Sequence, residues 1–212
     1  MKIYGCPGTC SLAPHIALHE LDLPHEFVCV NLRRGEGQSP DFLAKNALGS
    51  VPLLELPSGQ VLTEVQVILQ YLADQKPEVA LIPPPANPER YRVQQWLSLI
   101  STELHKNFFN IFFGKRILTD PQGVEQLAEF YRNRLRQRFE VVSDRLADQN
   151  WLAGDIYGVA DIYLYVILTW WTQGLGQTLE SWPNLIGFKQ RMEARPAVQK
   201  ALHTEERAQQ PA

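Results

Sequence analysis

The chain has 212 residues, of which 45% are hydrophobic and 20% are charged, and its net charge is −3. This length supports one large domain or two small ones, and the balance of charge excludes a disordered chain or a basic nucleic-acid surface. The longest apolar stretch, at 162–171, is shorter than the roughly 20 residues that span a bilayer. The first residues carry no long apolar segment, and three cysteines is an odd count, so no signal peptide and a cytoplasmic location are expected.

Strand and helix patterns alternate over the first 76 residues. The strands are predicted at 2–5, 25–32, 51–56 and 60–63, and the helices at 11–22, 40–46 and 64–75. The β-α-β start predicts a parallel pair of strands. The sequence PSG between the last two strands predicts an antiparallel hairpin.

The composition changes after this α/β segment. The stretch KPEVALIPPPANPE contains five of the fifteen prolines and is typical of a semi-rigid connector. Only helical patterns follow it, at 89–113, 121–148, 159–174, 181–196 and 197–206. We therefore predict a small α/β domain over 1–77, a linker over 78–88 and an all-helical domain over 89–212.

The stretch YGCPGTCSLAPH holds Cys10 at or just before the start of a predicted helix. A helix N-terminus stabilises an anion, so this position predicts a thiol with a lowered pKa. The alternative is a structural role, in which Cys10 is a small, half-buried residue that caps the turn. Cys6 lies one residue too far from Cys10 for a C-x-x-C motif, and no structural metal site is expected from three cysteines.

Two further turns precede regular elements. Val51 stands before Pro52 at a strand entrance, where the peptide bond can be cis or trans. In LTEVQ, Thr63 is predicted to cap a helix that Glu64 opens. Such a start can bind a carboxylate through backbone N–H groups and an ammonium through the glutamate, although an ordinary capped helix is the commoner case.

Three features of the helical half have mainly structural interpretations. His105 and Lys106 lie within an apolar-periodic helix, where a histidine is usually a satisfied core or surface residue. The arginines that alternate over 132–138 favour a solvated face or a subunit contact. Asp161, three residues after Gly158, has capping-box spacing and indicates a folding element.

The order of the segments is more specific than any one of them. TCSLAPHIAL, GSVPLLEL, LTEVQVILQYLAD, WLSLISTELHK, VADIYLY and RPAVQKAL follow one another over nearly the whole chain. In this order the chain resembles bacterial glutathione S-transferases, most closely the beta class. The resemblance implies an α/β thioredoxin-like N-terminal domain and an all-α C-terminal domain. It also implies glutathione as co-substrate, no metal and a homodimer.

The resemblance implies catalytic roles for three residues. Cys10 matches the cysteine that faces the glutathione sulfur, and Ser11 beside it is a hydrogen-bond donor to that sulfur. His105 reaches the thiol region from the helical domain. The electrophile is expected between the domains, against apolar residues of the long helix: Phe108, Phe109, Ile111 and Phe112.

Glutathione itself is expected to contact both domains. Val51, before a cis Pro52, pairs through its backbone with the cysteinyl part, and Lys106 reaches the glycyl end. Glu64 and the N–H of Val65 hold the γ-glutamyl group. The family usually has a small or hydroxylated residue at the position of Val65, so weaker γ-glutamyl binding is expected here.

Three functions follow from this resemblance. The first is conjugation of the glutathione thiolate to small hydrophobic electrophiles. The second is thiol–disulfide exchange or peroxide reduction with Cys10 as a reactive thiolate. The third is a non-catalytic interaction module, because a fold alone does not define an activity.

Overall fold

The structure is a computed structural model and describes residues 1–209. The chain forms two compact units. The first unit contains Met1–Asn87 and the C-terminal segment from Arg191, and the second contains Pro88–Gln190. The last helix therefore packs with the first unit, whereas the sequence pattern assigns it to a helical domain over 89–212. Within the described residues, no helix is both long and apolar enough to cross a membrane.

The first unit is built on a four-stranded mixed sheet with the order β2-β1-β3-β4. Its strands are β1 (Lys2–Gly5), β2 (Glu26–Cys29), β3 (Leu53–Glu55) and β4 (Val61–Leu62). Strand β1 pairs parallel with β2 and antiparallel with β3, and β3 pairs antiparallel with β4. The predicted parallel pair and hairpin are thus confirmed, although the strands are shorter than the patterns that predicted them.

Among the described residues, the first unit contains the helices α1 (Leu12–Glu20), α2 (Pro40–Leu43), α3 (Val65–Gln75) and α9 (Pro196–Gln209). Helix α1 packs against both α3 and α9. The core contains fully buried side chains from the sheet and from α1 and α3, among them Ile3, Ile16, Leu53, Leu54 and Leu69. The Arg195 guanidinium binds both carboxylate oxygens of Glu20, at 2.6 and 3.0 Å, and so ties the start of α9 to the end of α1.

The second unit is helical throughout its regular elements. It contains α4 (Glu89–Leu99), α5 (Lys106–Phe112), α6 (Pro121–Arg145), α7 (Val159–Thr169) and most of α8 (Pro183–Glu193). Short 3₁₀ turns occur in both units, at Leu32–Arg34, Glu36–Gln38, Pro77–Val79 and Gly114–Arg116.

The long helix predicted over 89–113 is not one regular α-helix. A π-helical segment, Ile100–His105, separates α4 from α5. A second π-helical segment, Trp170–Gly174, follows α7. Such segments keep the direction of the helix, so a hydrophobic period of 3.6 residues does not reveal them, and they occur often at functional sites.

Two polar clusters hold the second unit together. The buried Asp161 carboxylate accepts the N–H of Gly158 at 2.9 Å and that of Leu152 at 2.8 Å, which confirms the predicted folding element. Glu103, in the first π-helical segment, accepts hydrogen bonds from Arg134 and Arg138 at 3.0 and 2.9 Å. These arginines of α6 therefore form ion pairs within the unit.

Candidate functional site

The turn before α1 satisfies its own polar groups. The N–H of Cys6 donates to the Ser11 hydroxyl oxygen at 3.0 Å, and the Thr9 hydroxyl donates to the carbonyl oxygen of Cys6 at 2.7 Å. Gly5 allows this close approach, because a Cβ there would lie 2.7 Å from Phe27 Cε2 and 2.8 Å from Ser11 Oγ. The turn is therefore fixed before any ligand binds.

Ser11 is fully buried and belongs to this turn. Its hydroxyl oxygen lies 2.9 Å from that of Thr9 and 3.2 Å from the carbonyl oxygen of Cys6. Helix α1 begins at the next residue, and Ser11 makes no side-chain cap bond to it. This placement argues against the predicted role of Ser11 as a donor to an external sulfur, because its hydrogen bonds are made within the turn.

Cys10 keeps its proton at neutral pH. Only 8% of the residue is exposed, and its thiol donates to the carbonyl oxygen of Val51 at 3.5 Å. Burial raises the pKa of this thiol to about 12, and the carboxylates of Glu64 and Glu205 add to the rise. The predicted lowering of the pKa is wrong. A helix terminus stabilises an anion by about 0.3–1 kcal/mol, whereas burial can shift a pKa by several units of about 1.4 kcal/mol each.

The Val51–Pro52 peptide bond is cis, which confirms the expectation from the family resemblance. Val51 packs in a small apolar cluster with Val30 and Phe42, and β3 begins at Leu53. Within residues 1–209, the backbone N–H of Val51 has no hydrogen-bond partner. The carbonyl group of the same residue accepts the Cys10 thiol, so Val51 presents an unpaired backbone N–H and a carbonyl that contacts that thiol.

The start of α3 differs from the prediction in one residue. Glu64, and not Thr63, occupies the N-cap position, and α3 begins at Val65. Glu64 has a φ of +67°, a conformation that costs a non-glycine residue roughly 1–3 kcal/mol and that clusters at functional sites.

The groups around this helix start are available to a ligand. The Glu64 side chain is exposed. Its carbonyl oxygen accepts the N–H groups of Val67 and Ile68 at 3.0 and 2.9 Å. The N–H groups of Val65 and Gln66 precede these and lie outside the helical ladder. In the first unit, Cys10 contacts Val51, and its thiol also senses the charge of Glu64 at the start of α3.

In the second unit, His105 ends the first π-helical segment and Lys106 begins α5. The Nδ1 atom of His105 lies 2.6 Å from the Tyr163 hydroxyl oxygen, and its ring meets that of Trp170 edge-on at 4.8 Å. Burial, with a smaller contribution from the Lys106 charge, lowers the pKa of His105 to about 4. The imidazole is therefore neutral at pH 7, and Lys106 is exposed.

The aromatic residues of α5 divide into core and surface. Phe108 is fully buried, so the prediction that it lines an electrophile site is wrong. Phe109 and Phe112 are 46% and 41% exposed, and Ile111 is partly exposed. Phe113, which the sequence interpretation omitted, is also exposed, and its ring is tilted against that of Phe109 with 5.1 Å between the centroids.

Glu205 is the residue of the first unit that sequence reasoning missed. It lies on α9 and is buried, and its Oε2 accepts the N–H of Gly8 at 3.4 Å. Burial raises the pKa of its carboxyl to about 8. No pattern in the sequence around Glu205 predicts its hydrogen bond to the turn, because Gly8 is 197 residues away in the chain.

Comparison with known proteins identifies the family of the chain. The family model for the glutathione S-transferase N-terminal domain matches residues 8–75, and the model for the C-terminal domain of that family matches residues 96–196. Glutathione S-transferase GstA of Escherichia coli O157:H7 is 37% identical over 206 residues, which are 97% of this chain and 98% of that protein.

Solved structures extend the similarity to the whole fold. A sphingomonad glutathione S-transferase complexed with glutathione has a TM-score of 0.87 at 37% identity, over 97% of this chain and 99% of that one. A beta-class glutathione S-transferase of Sphingomonas chungbukensis has a TM-score of 0.86 at 38% identity, over 97% and 98% of the two chains. With a thioredoxin-like first unit, a helical second unit and these matches, the chain belongs to the glutathione S-transferase family and is similar in structure to bacterial members, including those of the beta class.

Proposed function

We propose that this enzyme transfers the thiolate of glutathione to small hydrophobic electrophiles. The observation that carries the proposal is the start of α3, where an exposed Glu64 at positive φ stands before unpaired helix N–H groups. In the same unit, the Cys10 thiol lies against the Val51 carbonyl. Together these groups offer partners for the ammonium and the carboxylate at one end of a peptide and for a thiol.

Each part of glutathione has a counterpart in this scheme. The Glu64 carboxylate binds the γ-glutamyl ammonium, and the N–H of Val65 binds the γ-glutamyl carboxylate. Val51 pairs with the cysteinyl part through its backbone N–H and carbonyl. Lys106 is exposed and positively charged, and it binds the glycyl carboxylate.

Cys10 acts as a hydrogen-bond donor in this proposal. An unperturbed thiol ionises near pH 8.5, so a site that stabilises the glutathione thiolate raises its reactive fraction at pH 7. The raised pKa of Cys10 keeps its S–H in place to donate to that thiolate. Neutral His105 supplies a second polar group, and Ser11 positions the turn. Conjugation then requires the two reactants to be held together.

The electrophile requires an apolar surface, and α5 provides one. Phe109, Phe112 and Phe113 expose large parts of their rings, and Ile111 is partly exposed. This surface supports a preference for aromatic or aliphatic electrophiles over charged ones.

The structure opposes the redox alternative. Attack on a disulfide or a peroxide requires a thiolate, and the pKa of Cys10 is about 12. Cys6, Cys10 and Cys29 are all free thiols in the described chain. Free thiols also support the cytoplasm as the location we propose.

Paired assays of wild type, Cys10→Ser and Cys10→Ala test the function. One assay follows conjugation of glutathione to an activated aryl halide, and the other follows reduction of a glutathione mixed disulfide. We expect conjugation in wild type, retention within about threefold in C10S, which keeps a donor, and a loss of about tenfold in C10A, which removes one hydrogen bond.

Two results would contradict the proposal. Disulfide reduction that exceeds conjugation in wild type and vanishes in C10S would favour the redox function. No conjugation and no glutathione binding in wild type would favour an interaction module. We also infer a homodimer from the family resemblance, and sedimentation at micromolar concentration measures it.

A further inference from the structure

Three histidines of the first unit form a cluster that the proposed function does not use. His15 and His19 lie one turn apart on α1, and His25 lies just before β2. Each offers one ring nitrogen, and these three nitrogens lie within 4.8 Å of one another. The His15 ring is 5.0 Å from that of His19 and 5.5 Å from that of His25, measured between centroids.

Two of these imidazoles lack the hydrogen bonds that their burial calls for. The Nε2 atoms of His15 and His19 are buried and have no partner among the residues that the structure describes. His15 is fully buried. Buried polar atoms in proteins are nearly always paired. Two unpaired nitrogens in neighbouring rings therefore indicate that a bound group contacts both of them.

The other ring nitrogens are oriented as metal-binding histidines usually are. The Nδ1 atom of His25 lies 2.7 Å from the carbonyl oxygen of Leu23 and therefore carries the proton, which leaves the Nε2 lone pair available. The Nδ1 atom of His15 lies 3.4 Å from Glu205 Oε1. A backbone carbonyl and a carboxylate are the usual partners behind histidines that bind a metal.

We propose that His15, His19 and His25 bind a divalent transition-metal ion, with zinc as the ion that this donor set suits. Imidazole is a preferred ligand of zinc, and three histidines leave a fourth position for water. None of the three histidines is among the residues proposed to bind glutathione, and the proposal does not depend on the activity proposed above.

The cluster is close to the required geometry. Zinc–nitrogen bonds of about 2.0–2.1 Å at tetrahedral angles place the nitrogens about 3.3 Å apart. The rings of His19 and His25 therefore have to move inward by up to about 1.5 Å, and both are only partly buried. Phe27 stacks on the His15 ring at 4.6 Å and holds it in place.

The neighbouring charges come from α9. Glu205, behind His15, has a pKa of about 8 and is mostly uncharged at pH 7, and Lys200 interacts unfavourably with positive charge at His19. Neither group supplies a negative charge at pH 7, so the affinity is expected to come from the three nitrogens.

Calorimetric titration of Zn²⁺ into tag-free, metal-stripped protein without glutathione tests the site. We expect one ion per chain in wild type and at least a tenfold loss of affinity in both His19→Gln and His25→Gln. His203→Gln is the matched control, because His203 is an exposed histidine on α9 outside the cluster, and we expect its affinity to stay within twofold of wild type. Thermal unfolding of each metal-free variant checks its fold.

A parallel titration with Co²⁺ identifies the ligands. Nitrogen ligands give visible d–d bands without the near-ultraviolet charge-transfer band of a cobalt thiolate. The proposal is overturned by an absence of saturable binding in wild type, by equal affinity in H25Q and wild type, or by a thiolate band that assigns the ion to the cysteines. If H19Q does not fold, the partly exposed His25 still decides the question through H25Q and H203Q.

Discussion

The two helix starts of the first unit differ in how they use their polar groups. At the start of α1, the hydroxyls of Thr9 and Ser11 bond to the Cys6 backbone, and the Cys10 thiol is buried. At the start of α3, Glu64 is exposed at positive φ, and the first N–H groups face outward from the ladder.

The two helix starts are therefore suited to different tasks, one to binding the ligand and the other to placing a thiol. The α3 start presents charge and backbone donors, so we propose that it anchors the ligand. The α1 start presents one protonated thiol on a rigid turn, so we propose that this thiol donates a hydrogen bond and does not act as an anion. A helix N-terminus therefore does not by itself produce a reactive cysteine, because burial outweighs the helix dipole here.

The largest effect expected at the α1 start is on thiol reactivity. With a pKa of about 12, Cys10 is ionised at pH 8 to only about one part in ten thousand. We expect iodoacetamide to modify it roughly a thousandfold more slowly than free glutathione, with the rate rising about tenfold per pH unit from pH 8 to 10. Peptide mapping by mass spectrometry measures this. A modification rate equal to that of free glutathione would contradict the claim that the Cys10 thiol is protonated.

The next effect is expected at the α3 start. Glu64→Gln removes the charge that is proposed to bind the ligand ammonium, and a charge-assisted hydrogen bond contributes about 1.5–3 kcal/mol. We expect the KM for glutathione to rise about 10- to 100-fold while kcat stays within about threefold. Glu78→Gln is the matched control, because Glu78 is an exposed glutamate of the same unit. Equal KM values in E64Q and E78Q would remove Glu64 from the site.

Ser11→Ala is expected to change stability more than binding. The variant leaves the Cys6 N–H without its partner and lowers the free energy of unfolding by about 1–3 kcal/mol. Urea denaturation measures this against Ser58→Ala, an exposed serine in a turn. If S11A instead keeps the stability of S58A and loses affinity for glutathione, Ser11 is a ligand-binding residue after all.

The smallest expected effect is a gain in affinity for glutathione. Val65→Ser adds a hydroxyl donor beside the N–H that is proposed to bind the γ-glutamyl carboxylate. One hydrogen bond of about 1 kcal/mol tightens glutathione binding about fivefold. Val67→Ser, on the exposed face of the same helix, is the control and is expected to change nothing. Weaker binding in V65S than in V67S would place the carboxylate elsewhere.

The sequence predicts those elements that depend on local pattern. Alternating apolar residues and the PSG turn locate the sheet strands, and the spacing of Gly158 and Asp161 locates a capping interaction that the structure confirms. The family resemblance adds the cis bond at Pro52, which no local signal determines. These features are fixed by neighbours in the chain or by a specific motif.

The features that could not be predicted depend on tertiary burial. The protonation of Cys10 follows from what covers the thiol, and Phe108 is core because of its packing, although it lies in the same apolar run as Phe109. His15 and His19 have a visible four-residue spacing, but only the crossover to β2 brings His25 to them. Periodicity carries no information on such contacts.

A titration of reduced glutathione into isotope-labelled protein, followed by backbone amide resonances, tests the central claim most directly. The account predicts that the N–H signals of Val51 and Val65 shift and saturate with one common dissociation constant. Glu64→Gln is expected to raise this dissociation constant, and Glu78→Gln is expected to leave it unchanged. Saturable binding that leaves both amides unmoved, or no binding at all, would contradict the proposed glutathione site.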